Sequence, residues 1–185
     1  MTRTRRIVAT LVATAALAAP TTVSMSAEAT PAPDKTVKAQ TKQLLKDVAG
    51  KDKRLARLAA SHAVTALADD TEAQLVANVT EARDALADVG TAAEAADSTI
   101  DTRAVRKELR SFRVENFRLV VNVLRQVENL TDDAAADPEA LVFLDEAEAA
   151  ALELGATSTK SDVRAVRALL QSATSELETV VAPTV

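Results

Sequence analysis

His62 is the only imidazole in the chain, and cysteine is absent. Those two facts remove most covalent and metal-assisted chemistry. A thiol nucleophile is impossible, and a dimetal carboxylate centre in a helical fold needs two Glu-x-x-His pairs. The three glycines, Gly50, Gly90 and Gly155, are isolated. They make no Gly-x-Ser-x-Gly elbow, phosphate loop or dinucleotide fingerprint. Asp132, Asp133 and Asp137 form an acidic loop without calcium-loop spacing, so they attract cations only weakly. His62 stands between Leu58 and Thr65, near an apolar helix seam, as a packed or half-exposed side chain does. These residues imply a non-enzymatic protein with no catalytic group, cofactor or metal.

The residues that could do something chemical are cationic. One set lies near the start of the globular region: Lys35, Lys38, Lys42 and Lys46, then Lys51, Lys53, Arg54 and Arg57, opposed by Asp34, Asp47 and Asp52. The second is the stretch Asp101–Gln126, with seven Lys or Arg against three acids in a chain of net charge −5. At 100° per residue, Arg103, Arg106, Lys107, Arg110, Arg113, Arg118 and Arg125 fall within an arc of roughly 140°. Val105, Leu109, Phe112, Leu119, Val120, Val123, Val127 and Leu130 form the apolar face, with Asn116 inside it as a polar residue that fixes register. Phe117, Val121 and Leu124 share the arginine arc, which makes this helix apolar on more than one side. They are either core, in a helix buried between neighbours, or a partner-binding face.

Two readings of the arginines follow. From Glu128 to Glu153 there are nine acids and no Lys or Arg. Helices joined by a short loop pack side by side, so a basic helix beside an acidic one is the first expectation. Each exposed pair contributes about 0–1 kcal/mol, and the set favours one helix order. The second reading is recognition of an anionic wall polymer or lipid surface through Lys38, Lys42, Lys46, Arg103, Lys107 and Arg110. Nucleic acid does not fit, because no aromatic side chains stand among the charges to stack on bases and the chain is acidic overall.

The elements that must carry these charges are helical. Alanine, the best helix former, makes up about a fifth of the chain, and Trp and Tyr are absent. Five segments are expected. The first covers about 35–67, with Gly50 weakening its middle. The second, about 71–96, has Leu75, Val79, Ala82, Leu86, Val89, Ala93 and Ala96 in alternating steps of four and three. The third runs from Asp101 to about Leu130. The fourth starts at Asp137-Pro138-Glu139, an N-cap followed by proline at the first helical position, and stops near Gly155. The fifth covers about 162–181 along Val163, Val166, Leu170, Ala173, Leu177 and Val180.

An internal echo runs through this order. Asp101-Thr-Arg-Ala-Val-Arg106 matches Asp162-Val-Arg-Ala-Val-Arg167, and Ser98 and Thr159 each stand three residues before the aspartate, as in a capping box. Glu81–Gly90 aligns with Glu146–Gly155 further upstream. The layout is an all-α, antiparallel, coiled-coil-like bundle of four to five long helices over 35–181, with related hairpins at 71–130 and 138–181.

Before it, residues 1–29 read as a cleaved export signal. Arg3, Arg5 and Arg6 precede an apolar run from Ile7 to Ala19, too short to span a bilayer, and Ala27-Glu28-Ala29 fits a cleavage site. Arg5-Arg6 also leaves twin-arginine export open beside the general route. Residues 30–34 are a linker. Cleavage removes three arginines and Glu28, which makes the remaining chain more acidic. The expectation is a secreted or envelope protein, not membrane-spanning after cleavage, monomeric or weakly dimeric, of structural or protein-interaction type. The alternative is a module for the anionic surfaces named above.

Ser98–Glu128 also resembles a group of exported, Ala-rich helical proteins of high-GC Gram-positive bacteria. In these a capped S/T-x-x-[DE]-[LVT]-R start leads into R-x-F-R-x-x-N-[YF]-x-L-V-x-N. The resemblance covers this helix and the cap repeated at Thr159. It implies an exported all-helical domain and brings no catalytic residue.

Overall fold

A computed structural model describes residues 35–181; the expected export segment and linker lie outside the described residues. Everything described is helix, turn or loop. In chain order the helices are α1 (Lys35–Ala59), α2 (His62–Thr65), α3 (Asp69–Ala95), α4 (Thr99–Ser111), α5 (Glu115–Thr131), α6 (Pro138–Leu152) and α7 (Lys160–Val181). None is long and apolar enough to cross a membrane.

The seam of α3 packs as its spacing requires. Leu75, Val79, Ala82, Leu86, Val89 and Ala93 are all buried, and α3 lies along α1, where Val37, Leu44 and Leu55 are buried. Gly50 does not interrupt α1. The expected first segment divides instead at Ala60 and Ser61. There the Ser61 hydroxyl donates to the Leu58 carbonyl at 2.7 Å, and the short α2 turn brings Val64 and Leu67 into the core.

The expected third segment is also two helices. Phe112 takes an extended ψ of 106°, and α5 begins only at Glu115. Neither glycine nor proline is present to cause it. Phe112 and Val114 are two residues apart, and on one helix they would point about 200° apart. The break lets both be buried, at 5% and 3% exposure, while Arg113 between them stays exposed. Its amide donates to the Ala156 carbonyl at 2.7 Å. The continuous helix read from the spacing is therefore corrected by tertiary burial.

The break gives the two halves different neighbours. α4 packs on α1 and α3, while α5 packs on α6 and α7 and also touches α1 and α2. Seven α5 side chains are buried, Phe117, Val121 and Leu124 among them. Those three are core rather than a partner-binding face. Asn116 is buried too, and its amide donates to the carbonyls of Gly155 (2.9 Å) and Ser158 (3.2 Å). It ties the start of α5 to the α6–α7 loop.

The helix starts follow the sequence signals. Asp137 accepts from the amides of Glu139 and Ala140 at 3.0 and 3.2 Å. Both capping boxes are closed. At the first, Ser98 and Asp101 exchange hydrogen bonds with each other's backbone amides. The Ser98 hydroxyl also holds the Asp101 carboxyl below the usual carboxylate range. At the second, Thr159 and Asp162 do the same, the Thr159 amide to the Asp162 carboxylate at 2.7 Å. Gly155 is not a left-handed stop, since no described glycine has a positive φ.

Candidate anion-binding face

The break at 112–114 decides where the cations go. The expected match between the third segment's arginines and the acids of the fourth does not form. Most of those cations belong to α4, which turns away from α6 to lie on α1, the other basic helix. Of the two ion pairs among the described residues, Arg54–Glu115 at 3.4 Å and Arg83–Asp52 at 2.6 Å, neither involves a cation of α4 or an acid of α6.

Two basic helices side by side produce a groove of about 610 Å³ between α1 and α4. Lys46, Lys51 and Arg54 line it from α1, and Arg106 and Arg110 from α4, with Asp47 as its one carboxylate. A second groove, of about 580 Å³, runs between α5 and α7. Arg113, Arg118, Lys160, Arg164 and Arg167 line it, with Glu115. A smaller hollow joins them. It shares Arg54 with the first groove and Glu115 and Arg118 with the second, and it adds Arg57. Half of the chain's 22 Lys and Arg thus line one continuous face with two carboxylates, and Glu115 is already engaged by Arg54.

Most of these cations are poised at the surface. Arg106 and Lys51 are half-buried. Lys51 donates to the Phe112 carbonyl and holds its ammonium 5.8 Å from the Phe112 ring centroid. A cation at the end of α4 meets the negative end of the helix dipole. Burial pushes the Lys51 ammonium below the usual lysine range, with nearby Glu115 acting in the opposite direction. Lys51 therefore ties α1 to the break between α4 and α5.

The site residues expected from sequence are only partly brought together. Lys46 and Arg110 line the first groove. Lys38 and Lys42 border a shallow hollow with Glu94 at the other end of α1. Arg103 and Lys107 are exposed on α4 outside the groove lining. The α7 cations Arg164 and Arg167 were not among the candidates. The signal for them was in the sequence, because they are the echo of Arg103 and Arg106.

The charge character reverses between α3 and α6. A cleft of about 440 Å³ there is lined by Glu81, Glu108 and Glu153 and by no Lys or Arg, over the buried rings of Phe112 and Phe117. Asn78 crosses beside it to donate to the Leu152 carbonyl at 2.7 Å. His62 is exposed at the start of α2 and lines none of these hollows, although its neighbour Ser61 lines the connecting one. No trio of His, Asp or Glu among the described residues is placed to hold a metal ion. No family model, curated protein or solved structure matches the chain.

Proposed function

We propose that this is an exported, non-enzymatic envelope protein that binds an anionic wall polymer along its basic face. Its scaffold is an antiparallel, coiled-coil-like helical bundle with a duplicated hairpin, acting as a monomer or weak homodimer. The observation that carries this reading is the run of cations across α1, α4, α5 and α7, with Arg54 alone of them in an ion pair among the described residues. Charges that served only to hold helices together would meet partners. These face solvent at a mutual repulsion that a polyanion relieves.

A polymer fits better than a lipid surface. Interfacial helices insert aromatic and large apolar side chains beside their cations, but Phe112 and Phe117 are buried. A purely protein-interaction role also has less support. Among the described residues the exposed large apolar side chains are Ile100 and Val142, too little for an apolar docking patch.

Co-sedimentation of the chain with purified cell wall and with anionic vesicles, at low and high salt, tests the proposal. Wall binding that fades steeply as salt rises is the expected result. Binding to vesicles but not to wall would move the assignment to lipid. Absence of both at low salt would return it to a structural role.

A further inference from the structure

We infer that the basic face contains two copies of one anion-binding unit, each built on the repeated Asp-x-Arg-Ala-Val-Arg helix start, and that together they grip a phosphate-linked polymer at two points. This rests on the polymer reading above.

The repeat places its residues alike in both helices. Each copy opens with a closed capping box, Ser98–Asp101 or Thr159–Asp162. Each buries its valine, Val105 at 6% and Val166 at 2% exposure. Each then turns its last arginine, Arg106 or Arg167, into a groove against a second helix, and the two grooves are nearly equal in volume, about 610 and 580 Å³. The correspondence is not complete. Arg164 lines its groove, whereas its counterpart Arg103 stands clear and Arg110 serves instead.

Guanidinium chemistry indicates the ligand. The first unit presents Arg54, Arg106 and Arg110, and the second Arg113, Arg118, Arg164 and Arg167. Planar forks pair with phosphate oxygens through two parallel hydrogen bonds, which an ammonium cannot do. The capping boxes already use amides at the starts of α4 and α7, so the side chains must carry the recognition. The second unit is held in shape beforehand, because Asn116 and the Arg113 amide fasten the start of α5 to the loop that launches α7. The hollow with Arg57 and Arg118 connects the units, so one polymer strand has an electropositive path from one to the other. Two linked contacts raise affinity by about 10²–10⁴ over one, without new chemistry.

The experiment is calorimetric titration of the full chain with polyglycerol phosphate of graded length, for the wild type, Arg106→Gln/Arg110→Gln and Arg164→Gln/Arg167→Gln. Circular dichroism checks that each variant keeps its helix content. With oligomers too short to reach both units, each double substitution should lower apparent affinity only about twofold, since the other unit still binds. With long chains, each should lower it at least about thirtyfold, as avidity is lost. Equal losses at every length, or one silent pair, would leave a single site and overturn the two-unit inference while polymer binding stands. No wild-type binding at any length in low salt would overturn the polymer reading itself, and the two units with it.

Discussion

The α3/α6 cleft and the α1/α4 groove are both hollows between neighbouring helices, yet their polar groups are used differently. Between α3 and α6 the uncharged polar side chains are committed to the fold, while the cleft's own carboxylates, Glu81, Glu108 and Glu153, have no ion-pair partner among the described residues. Asn78 satisfies the Leu152 carbonyl, Thr71 donates to Glu148 at 2.8 Å, and the floor is the buried rings of Phe112 and Phe117. In the groove Lys51 holds a link between helices through an uncharged acceptor, the Phe112 carbonyl, and Arg106 and Arg110 have no ion-pair partner among the described residues. The difference teaches that net charge is a poor guide to this molecule. An acidic chain has gathered half of its Lys and Arg onto one face, and of these Arg54 is the one in an ion pair among the described residues.

If the cleft floor is structural, removing it should have the largest effect of any single change. Phe117 is 1% exposed, so Phe117→Ala deletes a fully buried ring and leaves a cavity. The expected loss is about 3–5 kcal/mol of unfolding free energy, read by urea denaturation. A loss below about 1 kcal/mol would mean that the cleft opens onto a loosely packed interior, and the contrast with the groove would weaken.

Asn116 tests the other side. It is a buried polar residue that supports a basic groove rather than the cleft. Asn116→Ala leaves the Gly155 and Ser158 carbonyls without their donor, at about 1–3 kcal/mol. The same substitution should speed amide hydrogen exchange in the α6–α7 loop while leaving α3 protected. Uniform loss of protection would mean that the second groove is no separate unit.

Much of this is legible in the amino-acid sequence. The α3 seam, the Asp137 cap and both capping boxes follow from spacing, because local hydrogen bonds and a periodic apolar face act over a few residues. Asn116 was correctly placed inside the apolar face, although its partners lie in a distant loop. The helix break was not legible, since no local breaker marks it. Only the pair Phe112 and Val114, two apart and both large, conflicted with a single helix. The second departure follows from the first. With α4 and α5 taken as one rod, the short loop to the acidic segment implied charge pairing. In fact α5 is the half that packs on α6, while α4 carries four of the seven cations back to α1. The α7 arginines were visible as an echo, but an echo does not reveal that its two copies face grooves of one sign.

The smallest expected effect bears on whether the groove has a rigid wall. Gly50 lies mid-way along α1, is exposed, and lines the α1/α4 groove. A methyl group added there meets no atom within 4 Å. Alanine at such a position should therefore stabilise the protein by about 0.5–1 kcal/mol, because glycine loses more backbone entropy on entering a helix. Thermal unfolding of Gly50→Ala reads this directly as a higher midpoint. The added methyl stands in the groove itself, beside the carbonyl to which Arg54 Nε donates at 3.3 Å. Stability and polymer affinity should then part, the first rising while the second holds or falls. A destabilised Gly50→Ala would show that α1 needs to give way at this point, and a groove with a bending wall could not hold its cations ready as the cleft holds its floor.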